Sequence, residues 1–177
     1  LFTDIRGFTS YSETREPEVI VEDLNEYFSI ITRHILEYGG YVDKFVGDAV
    51  MGVFCLPVAQ DNHAERAVGA AMAMQKELQE SAGNKNELLT KIGIGINSGV
   101  LVSGNLGSDV KMEYTVIGDS VNIASRIQAL AGPGKIIISG STFEMTQHLV
   151  SVLPLPPQMI KGKSEPIGAF ELLGIKE

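Results

Sequence analysis

The chain has 177 residues, with 22 acidic against 14 basic side chains, a formal net charge of −8 and a pI near 4.9. That balance argues against a reader of nucleic-acid backbones, which shows a basic face, and the three histidines (His34, His63, His148) and single Cys55 make neither a metal-finger pattern nor an internal disulfide. No apolar run reaches the roughly 18 to 20 residues of a membrane span and no basic, apolar leader opens the chain, so the expectation is a soluble domain in a reducing, cytoplasmic setting. A hydrophobic fraction of 44% suits one substantial core over residues 1–177, and the start on Leu1-Phe2 reads as a domain cut from a longer protein.

Residues 1–3 read as the end of a buried strand, followed by the polar Asp4 and the tight Gly7. Pro17 suits a helix first turn, and Ile20, Leu24, Phe28, Ile31 and Ile35 recur at helical spacing until Gly39-Gly40 stops the pattern. Residues 41–46 and 49–55 are β-rich runs around Gly47-Asp48, a strong hairpin signal that puts Asp48 at the tip. Asp61 is placed to cap a second helix through Ala64, Ala67, Val68, Ala71 and Leu78, ending near Gly83. Residues 91–97 and 100–106, broken at Ser98-Gly99, suggest a second hairpin. Residues 112–117 make a further strand, and Gly118-Asp119-Ser120 opens a helix to about residue 130. Residues 135–139 read as a strand, 141–148 as a short helix, and 159–160 and 169–173 as closing strands. The many hairpin signals predict an α+β fold, a mostly antiparallel sheet with helices on one face, rather than a doubly wound parallel sheet.

Asp4 ends an apolar strand and Asp48 sits between two apolar runs, where neighbouring strands would bring both carboxylates to one rim as hard oxygen ligands for divalent cations. Spacing alone favours the plainer reading, with Asp48 a turn residue and Asp4 a cap. Arg6, Gly7, Phe8 and Thr9 offer backbone N–H groups around a glycine, a nest able to cradle phosphate oxygens, though one glycine loop is weak by itself. Asn122 and Arg126, four apart on one helix, share a face beside the apolar stripe of Ile123, Ile127 and Leu130. An arginine there can stabilise phosphoryl charge and an asparagine can orient a sugar oxygen, while the plain alternative is a solvated polar face. Lys44, inside the run Val42-Asp43-Lys44-Phe45-Val46, is an edge-strand charge or a ligand donor. Lys161 and Lys163 flank Gly162 and are solvent lysines or a loop closing over a polyphosphate. His34 and His63 lie in predicted helices and are assigned no chemistry.

Phe2-Thr3-Asp4-Ile5-Arg6-Gly7-Phe8-Thr9, then Lys44-Phe45-Val46-Gly47-Asp48, then Thr115-Val116-Ile117-Gly118-Asp119-Ser120-Val121-Asn122-Ile123-Ala124-Ser125-Arg126 together resemble the class III adenylate cyclase catalytic domain, in the order and spacing of that family. Three blocks in register overturn the plainer readings. The resemblance implies a palm-like, ferredoxin-like fold and a homodimer with two shared sites that turns ATP into 3′,5′-cyclic AMP and pyrophosphate. It implies two Mg²⁺ or Mn²⁺ ions per site on Asp4, Asp48 and the Ile5 carbonyl, with Arg126 on the transition state and Asn122 on the ribose. Phosphates would lie on the backbone from Arg6 to Thr9 and on Lys161 or Lys163. Adenylate cyclases of the family commonly carry Lys and Asp at the base-selecting positions, and guanylate cyclases Glu and Cys. Here Lys44 points to adenine, while Thr115 replaces the Asp. A threonine hydroxyl can accept from the adenine amine or donate to the guanine carbonyl. Thr115 is similar to the subgroup that includes the bicarbonate-responsive soluble cyclases, usually fused to sensory domains. Competing readings are a guanylate cyclase and a catalytically silent regulatory module; the four residues Asp4, Asp48, Asn122 and Arg126 speak against the silent module alone. A diguanylate cyclase would carry a Gly-Gly-Asp/Glu-Glu-Phe type tip where this chain has Val46-Gly47-Asp48-Ala49.

Overall fold

A computed structural model describes residues 1–82, 86–160 and 164–176. In chain order the elements are β1 (Phe2–Ile5), α1 (Phe8–Ser12), α2 (Pro17–Glu37), β2 (Tyr41–Val46), β3 (Ala49–Val53), α3 (His63–Ser81), a 3₁₀ turn (Glu87–Lys91), β4 (Ile92–Ile96), β5 (Val102–Ser108), β6 (Lys111–Ile117), α4 (Asp119–Leu130), β7 (Ile136–Ser139), α5 (Gly140–Thr146), β8 (Val150–Pro154) and β9 (Ala169–Ile175). Seven strands form one sheet in the order β2-β3-β1-β4-β7-β9-β8, in which only the β4–β7 pair is parallel, and β5 and β6 form a separate two-stranded ribbon. The α+β, mostly antiparallel expectation holds.

The sequence Ile92-Gly93-Ile94-Gly95-Ile96 explains the centre of the molecule. Ile92, Ile94 and Ile96 point into the main core, joined by Ile136 and Ile138 of β7 and covered by α2 (Tyr27, Ile31, Ile35) and α3 (Val68, Ala71, Met74). On the other face the glycines let α4 lie directly on the strand: a Cβ at Gly95 would sit 2.3 Å from the backbone of Gln128. Ile137, between its two core neighbours, packs there with Ile127, Ala131 and Ala169. Helices therefore flank both faces, which corrects the one-face expectation. The physical reason is a sheet whose central strands are apolar on both sides and must be covered twice.

The 41–46/49–55 hairpin forms as expected, with Val46 opposite Ala49 around the Gly47-Asp48 turn. The second expected hairpin does not. β4 is buried along its whole length and takes β1 and β7 as neighbours, while β5 pairs β6 from Val102↔Ile117 to Ser108↔Lys111. The 159–160 strand reduces to a single bridge between Gln158 and Ile167. The strand missed by periodicity is β8, an edge strand that tolerates Pro154. Helix α3 begins after Asn62, one residue later than the expected cap Asp61; the Asn62 side chain makes no capping bond, and its Oδ1 accepts from Arg66 Nε at 2.7 Å.

Candidate active site

Strand β1 lies between β3 and β4, with Thr3 opposite Val50, so its C-terminal end runs beside the Gly47-Asp48 turn. The Ile5 N–H donates to Asp48 Oδ2 at 3.2 Å, drawing that carboxylate towards β1. In an extended strand a residue's N–H and C=O lie on one edge, which puts the Ile5 carbonyl on the Asp48 side. Burial first, and then the charge of Asp48, push the Asp4 carboxyl above its ordinary range, and Arg6 opposes them with a guanidinium nitrogen 3.7 Å from Asp4 Oδ1. Asp4, Asp48 and the Ile5 carbonyl thus form a half-buried group of hard oxygens with excess negative charge. Such a donor set fits Mg²⁺ or Mn²⁺, which commonly take one or two carboxylates and complete their shell from water and substrate phosphates. Among the described residues no cluster of three or more His, Cys, Asp or Glu side chains offers an alternative metal cage. The scaffold beneath is closed to solvent at this point: Thr3 and Tyr27 are fully buried and their hydroxyls share a hydrogen bond of 2.5 Å.

Gly7 adopts φ +76°, the left-handed region a glycine enters without strain, and so turns the chain from β1 into α1. The first intrahelical bond runs from the Tyr11 N–H to the Gly7 carbonyl at 3.0 Å, leaving Phe8 and Thr9 as first-turn N–H groups with no carbonyl a turn earlier. Tyr11 pins the short helix to α2 through a hydrogen bond to Asp23. Burial and that bond push its phenol up to about 12 and keep it a donor. Arg6 departs from the expected cradle. Its N–H donates to the Lys91 carbonyl at 2.8 Å, and its guanidinium donates to the carbonyls of Ala131 (2.7 Å) and Gln128 at the end of α4. Arg6 is a strut between β1 and α4, because a helix end leaves carbonyls that a planar guanidinium can satisfy in pairs.

Lys44 and Thr115, far apart in sequence, meet through a residue that sequence reasoning passed over. The Thr115 hydroxyl donates to Asp43 Oδ2 at 2.9 Å, and Lys44 Nζ lies 3.6 Å from the same oxygen. Lys44 also reaches Glu113 Oε2 at 3.4 Å. The Asp43 side chain is fully buried. The β2–β3 register slips between Val42 and Lys44, so Asp43 is the extra residue of a bulge. The available signal was two consecutive charges inside a six-residue apolar strand, which strict alternation does not allow.

Asn122 is exposed and Arg126 half-buried on α4, and neither side chain has a hydrogen-bond or ion-pair partner among the described residues. The structure thus brings Asp4 to Asp48 and Lys44 to Thr115, while among the described residues no hydrogen bond or ion pair joins Asn122 or Arg126 to either pair. Lys161 and Lys163 lie outside the described residues. A cavity of about 360 Å³ opens elsewhere, between the β5–β6 ribbon and the sheet, lined by apolar groups such as Phe2, Met51, Leu101 and Val116. It contains none of these polar residues, as expected if the reacting groups line an open surface instead of a closed pocket.

Residues 1–171 match the family described as the adenylate and guanylate cyclase catalytic domain, and the chain belongs to that family. It is 32% identical over 182 residues to "Adenylate cyclase 1" of Rhizobium meliloti (strain 1021), covering 99% of this chain and 27% of that relative. Among solved structures it is similar to the adenylyl cyclase CyaB from P. aeruginosa (36% identity, TM-score 0.90, 97% of this chain and 91% of the other). It is equally identical to the guanylyl cyclase Cya2 (36%, TM-score 0.88, 99% and 91%). The chain spans about a quarter of the length of the R. meliloti relative, and overall identity does not separate the two bases.

Proposed function

We propose that this domain converts ATP into 3′,5′-cyclic AMP and pyrophosphate at sites shared between two copies of the chain. The observation that carries the reading is the Ile5 N–H bond to Asp48, which supports a two-carboxylate cation site with Asp4 in a chain of this family. Two Mg²⁺ or Mn²⁺ ions on Asp4, Asp48 and the Ile5 carbonyl would supply activation of the ribose 3′-hydroxyl and charge neutralisation on the triphosphate. The 3′-hydroxyl gives up its proton to solvent water as its oxygen bonds to the α-phosphorus, the bond from that phosphorus to the bridging oxygen breaks, and pyrophosphate leaves with the electron pair. The Phe8 and Thr9 N–H groups bind phosphate oxygens, with Lys161 or Lys163 on the terminal ones. Arg126 stabilises the charge that builds on the phosphoryl oxygens, and Asn122 orients the ribose.

A homodimer supplies what one chain lacks. Support for it comes from Asn122 and Arg126, which have no side-chain partner among the described residues, and from the exposed apolar side chains Val102, Leu106, Met112, Tyr114 and Ile117 on the ribbon. Upstream sensory domains and bicarbonate stimulation belong to the same reading, the latter through Thr115; stimulation at constant pH and ionic strength is its test. A cytoplasmic location is likewise proposed; no described helix is long and apolar enough to cross a membrane. The deciding experiment incubates the domain with ATP or GTP and Mn²⁺ and identifies products by mass spectrometry. Cyclic AMP with equimolar pyrophosphate is expected. Preferential cyclic GMP would make it a guanylate cyclase, and no product from either nucleotide would make it a silent module.

A further inference from the structure

A threonine hydroxyl has one proton and two lone pairs, so its partner on one side determines what it offers on the other. In this chain the Thr115 proton goes to Asp43 Oδ2 at 2.9 Å. Any further partner of Thr115 Oγ1 therefore meets a lone pair. Lys44, which can only donate, sits beside the same carboxylate oxygen. Together they present one donor and one acceptor, the complement of the adenine edge with its N1 acceptor and N6 amine donor. Guanine reverses both, with an N1–H donor and an O6 acceptor.

We infer that Asp43 is a positioning residue for base choice: it fixes Thr115 as an acceptor and thereby selects adenine. The inference rests on the reading of the domain as an ATP cyclase. For Thr115 to serve guanine it must turn its proton towards the base and abandon Asp43. That carboxylate is fully buried, and its Oδ1 has no hydrogen-bond partner among the described residues. Losing the Thr115 bond strips a buried charge of its direct donor, the costly direction in hydrogen-bond exchange. The bulge is part of the device. A regular strand would send Asp43 and Lys44 to opposite faces, whereas the slip after Val42 lets both meet Thr115. Equal similarity to an adenylyl and a guanylyl cyclase fits this scale, since one proton's direction leaves overall identity untouched.

The test measures the ATP-to-GTP ratio of kcat/KM with Mn²⁺ for the parent, Asp43→Ala, Thr115→Val and the double variant. Both substrates meet the same protein molecules, so a reduced folded fraction cancels from the ratio. Asp43→Ala is expected to lower the ratio about tenfold, the scale of one hydrogen bond to a charged group. Thr115→Val should lower it too, and adding Asp43→Ala to Thr115→Val should change it by less than about twofold. If Asp43→Ala does not fold, the parent domain decides with base analogues. Inosine triphosphate, with the guanine N1 and O6 pattern but no 2-amino group, should be as poor as GTP, and 2,6-diaminopurine riboside triphosphate should be used like ATP. A ratio unmoved by Asp43→Ala, a further tenfold drop in the double variant, or inosine triphosphate used as well as ATP overturns the inference alone. A parent domain that makes no cyclic AMP, or prefers GTP, overturns the reading as an ATP cyclase and this inference with it.

Discussion

The carboxylate end of the sheet and the polar face of α4 are built on different principles. At the first, three polar groups are tied down within the chain: Asp48 by the Ile5 N–H, Arg6 by the end of α4, and Thr3 by Tyr27. On the second, Asn122 and Arg126 have no partners among the described residues, although the backbone of α4 itself is held firmly against Gly93 and Gly95. A rigid element whose polar side chains have no partner among the described residues can offer them to a substrate or to a second copy. Preorganised groups on regular elements lose little freedom when they engage a substrate or a second copy.

Removing the tied-down half should have the largest effect. Asp48→Ala is expected to leave less than a few per cent of parental turnover at saturating Mn²⁺, while losing roughly 1 kcal/mol of stability for the Ile5 hydrogen bond. Paired activity assays and denaturant titrations check both numbers. Turnover above that level removes Asp48 from the cation site.

The comparison sharpens when the two halves are broken on different chains. Arg126→Ala should lower kcat on the order of a hundredfold with a smaller change in KM, as a transition-state contact requires. Mixed with Asp48→Ala under free subunit exchange, it should recover about a quarter of parental activity, since half the dimers are mixed and half of their sites are intact. Size measurements that prove exchange, with no recovery, would place both halves of the site in one chain.

The scaffold under α4 offers a stability test. Gly95→Ala adds a Cβ that meets the Gln128 backbone, so it should cost about 1 to 3 kcal/mol in denaturant unfolding and reduce activity with it. A neutral substitution would mean that α4 is not seated on β4.

The smallest effect lies on the far face. Glu77 is opposed by burial, yet hydrogen bonds from Arg33 and His34 hold its carboxyl below the ordinary glutamate range. A depressed carboxyl contributes stability above its unfolded pKa and loses it as pH falls through the folded value. Melting temperatures of the parent and of Glu77→Gln should therefore converge between about pH 6 and about pH 3, with no matching change in the nucleotide ratio.

By itself the sequence determined most of the local elements and named the candidate site residues. Helical periodicity from Ile20 to Ile35 marks α2, and the Gly47-Asp48 signal marks the hairpin, because both depend on nearest neighbours along the chain. The family blocks named Asp4, Asp48, Asn122 and Arg126. Only the tertiary structure decided which strands are neighbours. The pattern Ile-Gly-Ile-Gly-Ile reads equally as half of a hairpin or as a central strand, and it becomes a central strand because both of its faces find a cover. Arg6 looked like part of a phosphate loop until the end of α4 arrived beside it. Asp43 drew no assignment from the sequence, and it is a bulge and a strand from the ribbon that enclose it. Hydrogen-bond direction at Thr115 is a property of that three-dimensional neighbourhood: one hydroxyl proton has two possible destinations, and only folding supplies the one that wins.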